Sequence, residues 1–166
     1  MSESLYQEQK PMLRNATRYG LAGGLVSILA LLLMYIIDRN PLFYGRYFDI
    51  VLIPAFVIFS IRDFKVQQNG GILHFWQGMT TGILVYLIIA LATALFIILF
   101  TYVISPELFD AYIENRLELL EEKKDEIIRS IDEESYHQTV EGLRNTKPWH
   151  LAVDDFLKKS IIGLFL

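Results

Sequence analysis

Two ionisable residues lie beside the apolar stretches of this sequence and could do chemistry there. Asp49 lies near the start of the second apolar stretch, and His74 comes just before the third. A carboxylate at such a position could bind a cation or pair with Arg46 or Arg62, and ionisable residues inside membrane spans often mark a transport path. A solvated side chain at the depth of the lipid headgroups is the commoner case. We therefore predict Asp49 and His74 as a candidate polar site and favour the solvated state for both.

Other kinds of reactive site are not indicated. The chain has no cysteine, which excludes disulfides, iron–sulfur clusters and thiol nucleophiles. Its histidines, His74, His137 and His150, are far apart and lack metal-ligand spacing. No phosphate-binding loop or nucleophile constellation is visible, and a net charge of −4 gives no basic excess for nucleic acid. We predict a non-enzymatic chain with no catalytic residues, metal, cofactor or nucleic-acid partner.

Acidic residues form a stripe in the second half of the chain. Glu114, Glu118, Glu122 and Asp125 lie along one side of a helix that we predict over residues 106–130. The acidic pairs four residues apart in this stripe bring like charges together, and each pair is mildly destabilising. The stripe could face a basic partner or divalent ions, but a solvated face is the commoner reason for such a pattern.

The elements that must position these residues are long apolar runs. The three longest runs without Asp, Glu, Lys or Arg cover 19, 12 and 41 residues. A run of about 18 or more predicts a membrane span. We place spans at Gly20–Ile37, Tyr44–Ile61 and Gly78–Ile104. The predicted fold class is therefore all-α, a multi-pass transmembrane helix bundle.

Three regions follow along the chain. Residues 1–104 hold an N-terminal tail and three transmembrane helices. Residues 105–147 form a hydrophilic, acidic helical hairpin, inserted between the third and fourth spans and begun by the capping sequence Ser105-Pro106-Glu107. Residues 148–166 begin a fourth transmembrane helix that we expect to be truncated, because the chain stops within an apolar run. A short interfacial helix is the alternative there.

An apolar stripe on the insert needs a cover. Apolar residues follow a three-four spacing from Phe109 to Ile131, and a shorter helix is predicted at 134–144. Packing between these two helices is favoured, because a short hairpin brings them together. The membrane surface and a coiled coil with another chain are the alternatives.

Small residues at four-residue spacing predict close contacts between helices. Gly20 and Gly24 lie on one face of the first span, and Gly78 and Gly82 on one face of the third. In lipid, helices associate through close packing of their backbones, which such faces permit. Contacts within the chain's own bundle are the favoured interpretation. A docking face for a partner protein or a second copy is the alternative.

Short segments with a recognisable order run along the chain. They are Gly20-Leu21-Ala22-Gly23-Gly24, Ile61-Arg62-Asp63, Phe75-Trp76-Gln77-Gly78-Met79-Thr80-Thr81-Gly82, Ser105-Pro106-Glu107 and Ala152-Val153-Asp154-Asp155-Phe156. This order resembles a small inner-membrane protein family of unknown function that is common in Bacteroidota-type bacteria. The resemblance implies four membrane helices with a hydrophilic insert between the third and the fourth. It implies no known activity.

These observations together predict a bacterial inner-membrane protein that works by association. Basic residues before the first span and after the second outnumber those between the two, which favours a cytoplasmic N-terminus. Small-residue faces and spans almost without charge predict an accessory or scaffolding subunit of a larger membrane complex. Its partners would be the lipid bilayer and either a membrane protein or further copies of itself. A small transporter or channel that acts as an oligomer is the alternative prediction.

Overall fold

The computed structural model describes the backbone of residues 2–165 and the side chains of residues 10–43, 45 and 48–161. The regular elements of this part of the chain are helical, which confirms the all-α class. In chain order the α-helices are α1 (Ser2–Ile36), α2 (Pro41–Asp63), α3 (Phe75–Leu99), α4 (Pro106–Glu122), α5 (Lys124–Ile131), α6 (Glu133–Arg144) and α7 (Pro148–Phe165). Short π-helical turns extend α2 over Phe64–Gln68 and α3 over Phe100–Ile104.

Proline and a capping residue define the starts of several helices. Pro41 and Pro106 stand in the first turns of α2 and α4, and Pro148 begins α7; the amide proton that proline lacks would have no partner at that position. Asn40 caps α2, because its side-chain oxygen accepts a hydrogen bond from the Leu42 amide at 3.0 Å. These local signals explain why the helix starts lie close to the predicted breaks.

The predicted N-terminal tail is part of the first helix. α1 runs without a break from Ser2 to Ile36 and contains Pro11. Asn15 and Ala16, which belong to this tail, are buried. The Asn15 Nδ2 donates to the Ser60 carbonyl oxygen of α2 at 2.9 Å. Because this end of α1 packs on the end of α2, the helix begins well before the apolar run that predicted it.

α3 is the central helix of the bundle and packs against α1, α2 and α7. Short connections make α2 antiparallel to both α1 and α3, so that α1 and α3 run parallel. Between these three helices lies a core that contains Ala16, Ile53, Val85, Tyr86 and Ile89. A second core lies between α3 and α7, where Ala152 packs with Ala94 and Ile97.

The outside of the bundle is rich in exposed leucine. On α1, Leu21, Leu25, Leu29 and Leu33 are each more than half exposed. On α3, a second row with the same spacing is exposed at Leu87, Leu91, Leu95 and Leu99. Two helical stretches, Lys10–Ile36 and Phe75–Ile104, are long and apolar enough to cross a membrane. Contiguous apolar surface of this kind is unfavourable in water and typical of a membrane or protein interface.

The prediction of one long helix over residues 106–130 is wrong, because the structure divides this segment into α4 and α5. The break lies at Lys123, whose φ of −100° and ψ of 14° leave helical geometry. It separates Glu122 from Glu126, a like-charge pair that an unbroken helix would hold one turn apart.

The apolar stripe of the insert is covered from within the chain. Tyr136 of α6 is 4% exposed, and its hydroxyl donates to the Leu120 carbonyl oxygen of α4 at 3.4 Å. Phe109 and Tyr112 of α4 are buried as well. The acidic stripe on the opposite side is exposed at Glu114, Glu118, Glu122 and Asp125. This arrangement agrees with the favoured interpretation of the hairpin, with a solvated acidic face.

Candidate functional site: a charged cavity inside the bundle

An ammonium group is buried where α2, α3 and α7 meet. Lys159 of α7 is 7% exposed. Its Nζ lies 2.8 Å from Asp49 Oδ2 on α2 and 2.7 Å from Asp155 Oδ2 on α7, and it donates to Thr93 Oγ1 on α3 at 3.0 Å. An ammonium group carries three protons. Lys159 therefore has one acceptor for each proton, and the cluster ties three helices together.

The expectation of a solvated Asp49 is wrong. Its side chain is 16% exposed and is paired with Lys159. Of the two partners considered from the sequence, Arg62 is exposed near the opposite end of α2, and the side chain of Arg46 lies outside the described residues. The partner comes from α7 because that helix packs along α3, which brings Lys159 beside Thr93 and opposite Asp49.

His74 does not belong to the same site. It caps the start of α3, where its amide donates to Gln77 Oε1 at 3.1 Å, and it is exposed. Thr93, which touches the buried ammonium, comes 19 residues later on the same helix. At 1.5 Å per residue the two positions are about 28 Å apart. The two residues of the predicted polar site therefore lie at opposite ends of the bundle.

The buried cluster lines a cavity of 430 Å³, which we call the charged cavity. A second ion pair, Asp154 with Lys158, lies at its edge, and both of its side chains are about half exposed. Among the described side chains, the lining thus carries three aspartates against two lysines. The formal charge of this lining is −1 when all five groups are ionised.

The rest of the charged cavity is apolar and aromatic. Ile53 of α2 and Ile97 of α3 line its wall, together with the rings of Tyr86, Phe96 and Phe100. A pocket of a few hundred Å³ with mostly apolar walls and a few convergent polar groups is typical of a small-molecule site.

A buried hydroxyl lies next to this cluster. Ser27 of α1 is 2% exposed and lies beside the Asp49 carboxylate. Buried polar groups are nearly always hydrogen-bonded, and this carboxylate is the acceptor nearest to the Ser27 hydroxyl that the structure indicates.

A second cavity, of 540 Å³, lies between the insert and the start of α7. Tyr112, Leu151 and Asp154 line both cavities, so that the two adjoin. The Tyr112 hydroxyl accepts a hydrogen bond from Arg116 Nε at 3.2 Å. The insert thus lies over one end of the charged cavity.

The glycines on α1 make close contacts with α3. A Cβ atom added at Gly20 would lie 2.7 Å from Ile88 Cβ, and one at Gly24 would lie 2.8 Å from Ala92 Cβ. Gly23, which was not predicted, faces Ile89 even more closely. This face of α1 is therefore used inside the bundle.

The glycines on α3 differ from each other. An added Cβ at Gly82 would lie 3.3 Å from Val57 of α2, whereas at Gly78 the nearest atom is 3.5 Å away on Leu73, just before the helix. Gly45 of α2 is a further close contact that sequence spacing missed, since an added Cβ would lie 2.5 Å from Leu31 of α1. The predicted pair on α3 is thus not a single packing face.

Comparison with known proteins identifies a family of unknown function. A family model described as a protein of unknown function matches residues 18–166, which is most of the chain. No curated protein and no solved structure matches. The predicted resemblance to a family of unknown function is confirmed to that extent. An origin in Bacteroidota-type bacteria and four membrane helices stay predictions.

Proposed function

The chain belongs to the DUF4199 family, whose description gives no function, and from its geometry we propose that it is a multi-pass membrane protein that binds and transports a small solute. The solute would bind in the charged cavity. The transporter that was the alternative prediction from the sequence thus takes precedence over an accessory or scaffolding subunit.

Membrane placement is supported by the exterior of the bundle. The rows of exposed leucine on α1 and α3 lie on the two helices that are long and apolar enough to cross a bilayer. α2 packs against both of these helices and α7 packs along α3, so we propose that α2 and α7 are membrane-embedded too. The bacterial inner membrane and a cytoplasmic N-terminus remain predictions from the sequence.

The observation that carries the proposal is the ion cluster of Asp49, Lys159 and Asp155 inside a bundle with a leucine exterior. Charged side chains at membrane depth are unfavourable and commonly mark the path of an ion or a substrate. A buried ion pair contributes little net stability, because desolvation offsets the attraction. Helix packing alone therefore gives a weak reason for this cluster.

The features that predicted an accessory subunit are largely used within the chain. The small-residue face of α1 packs on α3, and the apolar stripe of the insert packs on α6. With α7 embedded as proposed, Lys159 adds a buried charge to spans that were expected to be almost without charge. These findings remove much of the support for a role in association.

A route to the charged cavity is also present. The cavity beneath the insert adjoins it along Tyr112, Leu151 and Asp154. A solute could reach Asp49 from the aqueous side of the insert along this line.

Uptake into proteoliposomes tests the proposal. The purified full chain would be reconstituted and offered labelled sodium, rubidium, methylammonium, acetate and sulfate in parallel. We expect at least one of these solutes to accumulate above the level in protein-free liposomes, and we expect Asp49→Asn to abolish that uptake. Asp125→Asn is the matched control, since it makes the same chemical change at an exposed position of the insert and should transport like the wild type.

The competing role has a different signature. If the folded protein carries none of these solutes, and a crosslinking pull-down from native membranes recovers it in fixed ratio with one other membrane protein, the accessory role is correct and transport is not.

A further inference from the structure

We infer that the charged cavity takes an organic monocation, an ammonium group on an apolar body, and that Lys159 holds the position of that ammonium and competes with it for Asp49. This inference rests on the proposed function in one respect, since it takes the charged cavity to be a binding site. It adds the chemical class of the solute and the residue that competes with it.

The charge of the lining favours a cation. Among the described side chains the balance is one negative charge, which a monocation neutralises. Neither lysine is available to an anion, because Lys159 has an acceptor for each proton and Lys158 is paired with Asp154. An anion would therefore meet carboxylates whose cations are already engaged.

The geometry of Lys159 suits a group that is displaced and returns. Asp155 lies one turn before Lys159 on the same helix, so their contact persists when α7 shifts as a unit. Asp49 and Thr93 belong to other helices. A competing ammonium can therefore take Asp49 while Lys159 keeps a carboxylate partner.

Ser27 belongs to the surroundings of Asp49 and not to the cavity wall. Its buried hydroxyl lies beside the Asp49 carboxylate and is absent from the lining of the charged cavity. The face of Asp49 that a solute would meet is therefore the one that Lys159 now occupies.

The aromatic wall favours an organic cation over a metal ion. The rings of Tyr86, Phe96 and Phe100 line the cavity beyond the carboxylates. Phe100 is itself held by ring contacts to Phe96 and Tyr35, with centroid distances of 5.8 Å and 5.4 Å. Aromatic faces attract ammonium groups and bury apolar chains. A sodium or potassium ion would lose its hydration shell on binding, and its binding would not bury an apolar chain against the aromatic wall.

Calorimetric titration of the full chain in a zwitterionic detergent tests the inference. The probes are n-hexylammonium, neutral n-hexanol and anionic n-hexanoate, which share one apolar body. We expect saturable binding of n-hexylammonium, with the other two weaker by about tenfold or more, as expected when a close charge pair is lost. Asp49→Asn should weaken n-hexylammonium binding by a similar factor.

The competing lysine has its own test. Lys159→Met should tighten n-hexylammonium binding by about tenfold, because it removes the competitor. Lys158→Met removes the same charge from the same cavity but leaves Asp49 occupied, so its effect should be clearly smaller. If Lys159→Met fails to fold, the double variant Asp49→Asn with Lys159→Met removes both charges, and it should fold without binding the cation.

The outcomes separate the inference from the proposed function. Equal binding of n-hexanol, tighter binding of n-hexanoate, or Asp49-dependent binding of sodium alone would each overturn the inference while leaving transport possible. Binding of n-hexylammonium by a protein that transports nothing in liposomes would overturn the proposed function and uphold the inferred ligand class. Equal effects of Lys159→Met and Lys158→Met would overturn the role of Lys159 as competitor.

Discussion

Two buried polar clusters connect α2 to neighbouring helices, one near each end of α2, and they are built from different groups. Near the end of α2, Asn15 and Ser60 are 2% and 0% exposed. They are joined by the bond from Asn15 Nδ2 to the Ser60 carbonyl and by the Ser60 hydroxyl, which donates to Asn15 Oδ1 at 3.5 Å. Near the start of α2, Asp49 pairs with Lys159 at the edge of a cavity. A neutral amide and a hydroxyl suffice to hold two helices together at one end, whereas the other end carries the charges on which the proposed binding site rests.

The largest effect on stability should come from a change in the charged cluster of Asp49, Lys159 and Asp155. Lys159→Met leaves the largely buried Asp49 and the partly exposed Asp155 without their cation, and breaking a buried pair in this way costs about 3–5 kcal/mol. The double variant Asp49→Asn with Lys159→Met should recover most of that loss. Denaturation in detergent, followed by circular dichroism, measures both and gives the coupling between the two residues. Additive effects would show that the pair does not form.

A smaller loss should come from the helix contact that lies between the two clusters. Gly20→Ala places a Cβ 2.7 Å from Ile88 Cβ, and overpacking of this kind costs about 1–3 kcal/mol. Gly78→Ala is the control, because its nearest contact is at 3.5 Å and alanine favours a helix over glycine by about 1 kcal/mol. The same denaturation assay should therefore find Gly20→Ala less stable than the wild type and Gly78→Ala more stable. Equal stability would place the α1–α3 contact elsewhere.

The neutral cluster of Asn15 and Ser60 should contribute to stability but not to ligand binding. Ser60→Ala removes one hydrogen bond to Asn15, with an expected loss of about 1 kcal/mol. The titration with n-hexylammonium should give the wild-type affinity. A change in affinity that exceeds the error of the titration would mean that the two clusters are coupled, and the contrast between them would fail.

The smallest effects should come from the acidic stripe of the insert, outside both clusters. Glu118→Gln relieves repulsion with Glu114 and Glu122 and should stabilise the chain by about 0.2–0.5 kcal/mol. Glu107 stands in the first turn of α4, where a negative charge is favourable, so Glu107→Gln should destabilise slightly. Thermal melting at low salt checks the signs, and high salt should weaken both effects. A gain from Glu107→Gln would contradict this reading.

Helix identity could be predicted from the sequence because its signals are local. Charge-free runs locate α1, α2 and α3, and proline with a capping residue marks the start of α2. The break at Lys123 could not be predicted, because apolar residues at three-four spacing continue on both sides of it and only Lys124 interrupts the stripe. The like-charge pair Glu122 and Glu126 was visible as a weakness at that point, although it did not indicate a break.

The candidate site could be predicted only in part, because its members lie far apart along the chain. Asp49 was recognised as a candidate, but its partner depends on how α7 packs along α3. One signal was present. Asp154 and Asp155 precede Lys158 and Lys159 by four residues each, which places two opposite-charge pairs on the helix that was taken for the start of a membrane span. Ionisable residues in that setting could have pointed to a buried cluster.

The most direct test of the contrast between the two ends is a side-by-side measurement of n-hexylammonium binding by the wild type, Asp49→Asn and Ser60→Ala in one detergent. We expect Asp49→Asn to lose binding while it remains folded, and Ser60→Ala to bind like the wild type although it is less stable. Equal binding by all three proteins would contradict the assignment of the charged end as the binding site.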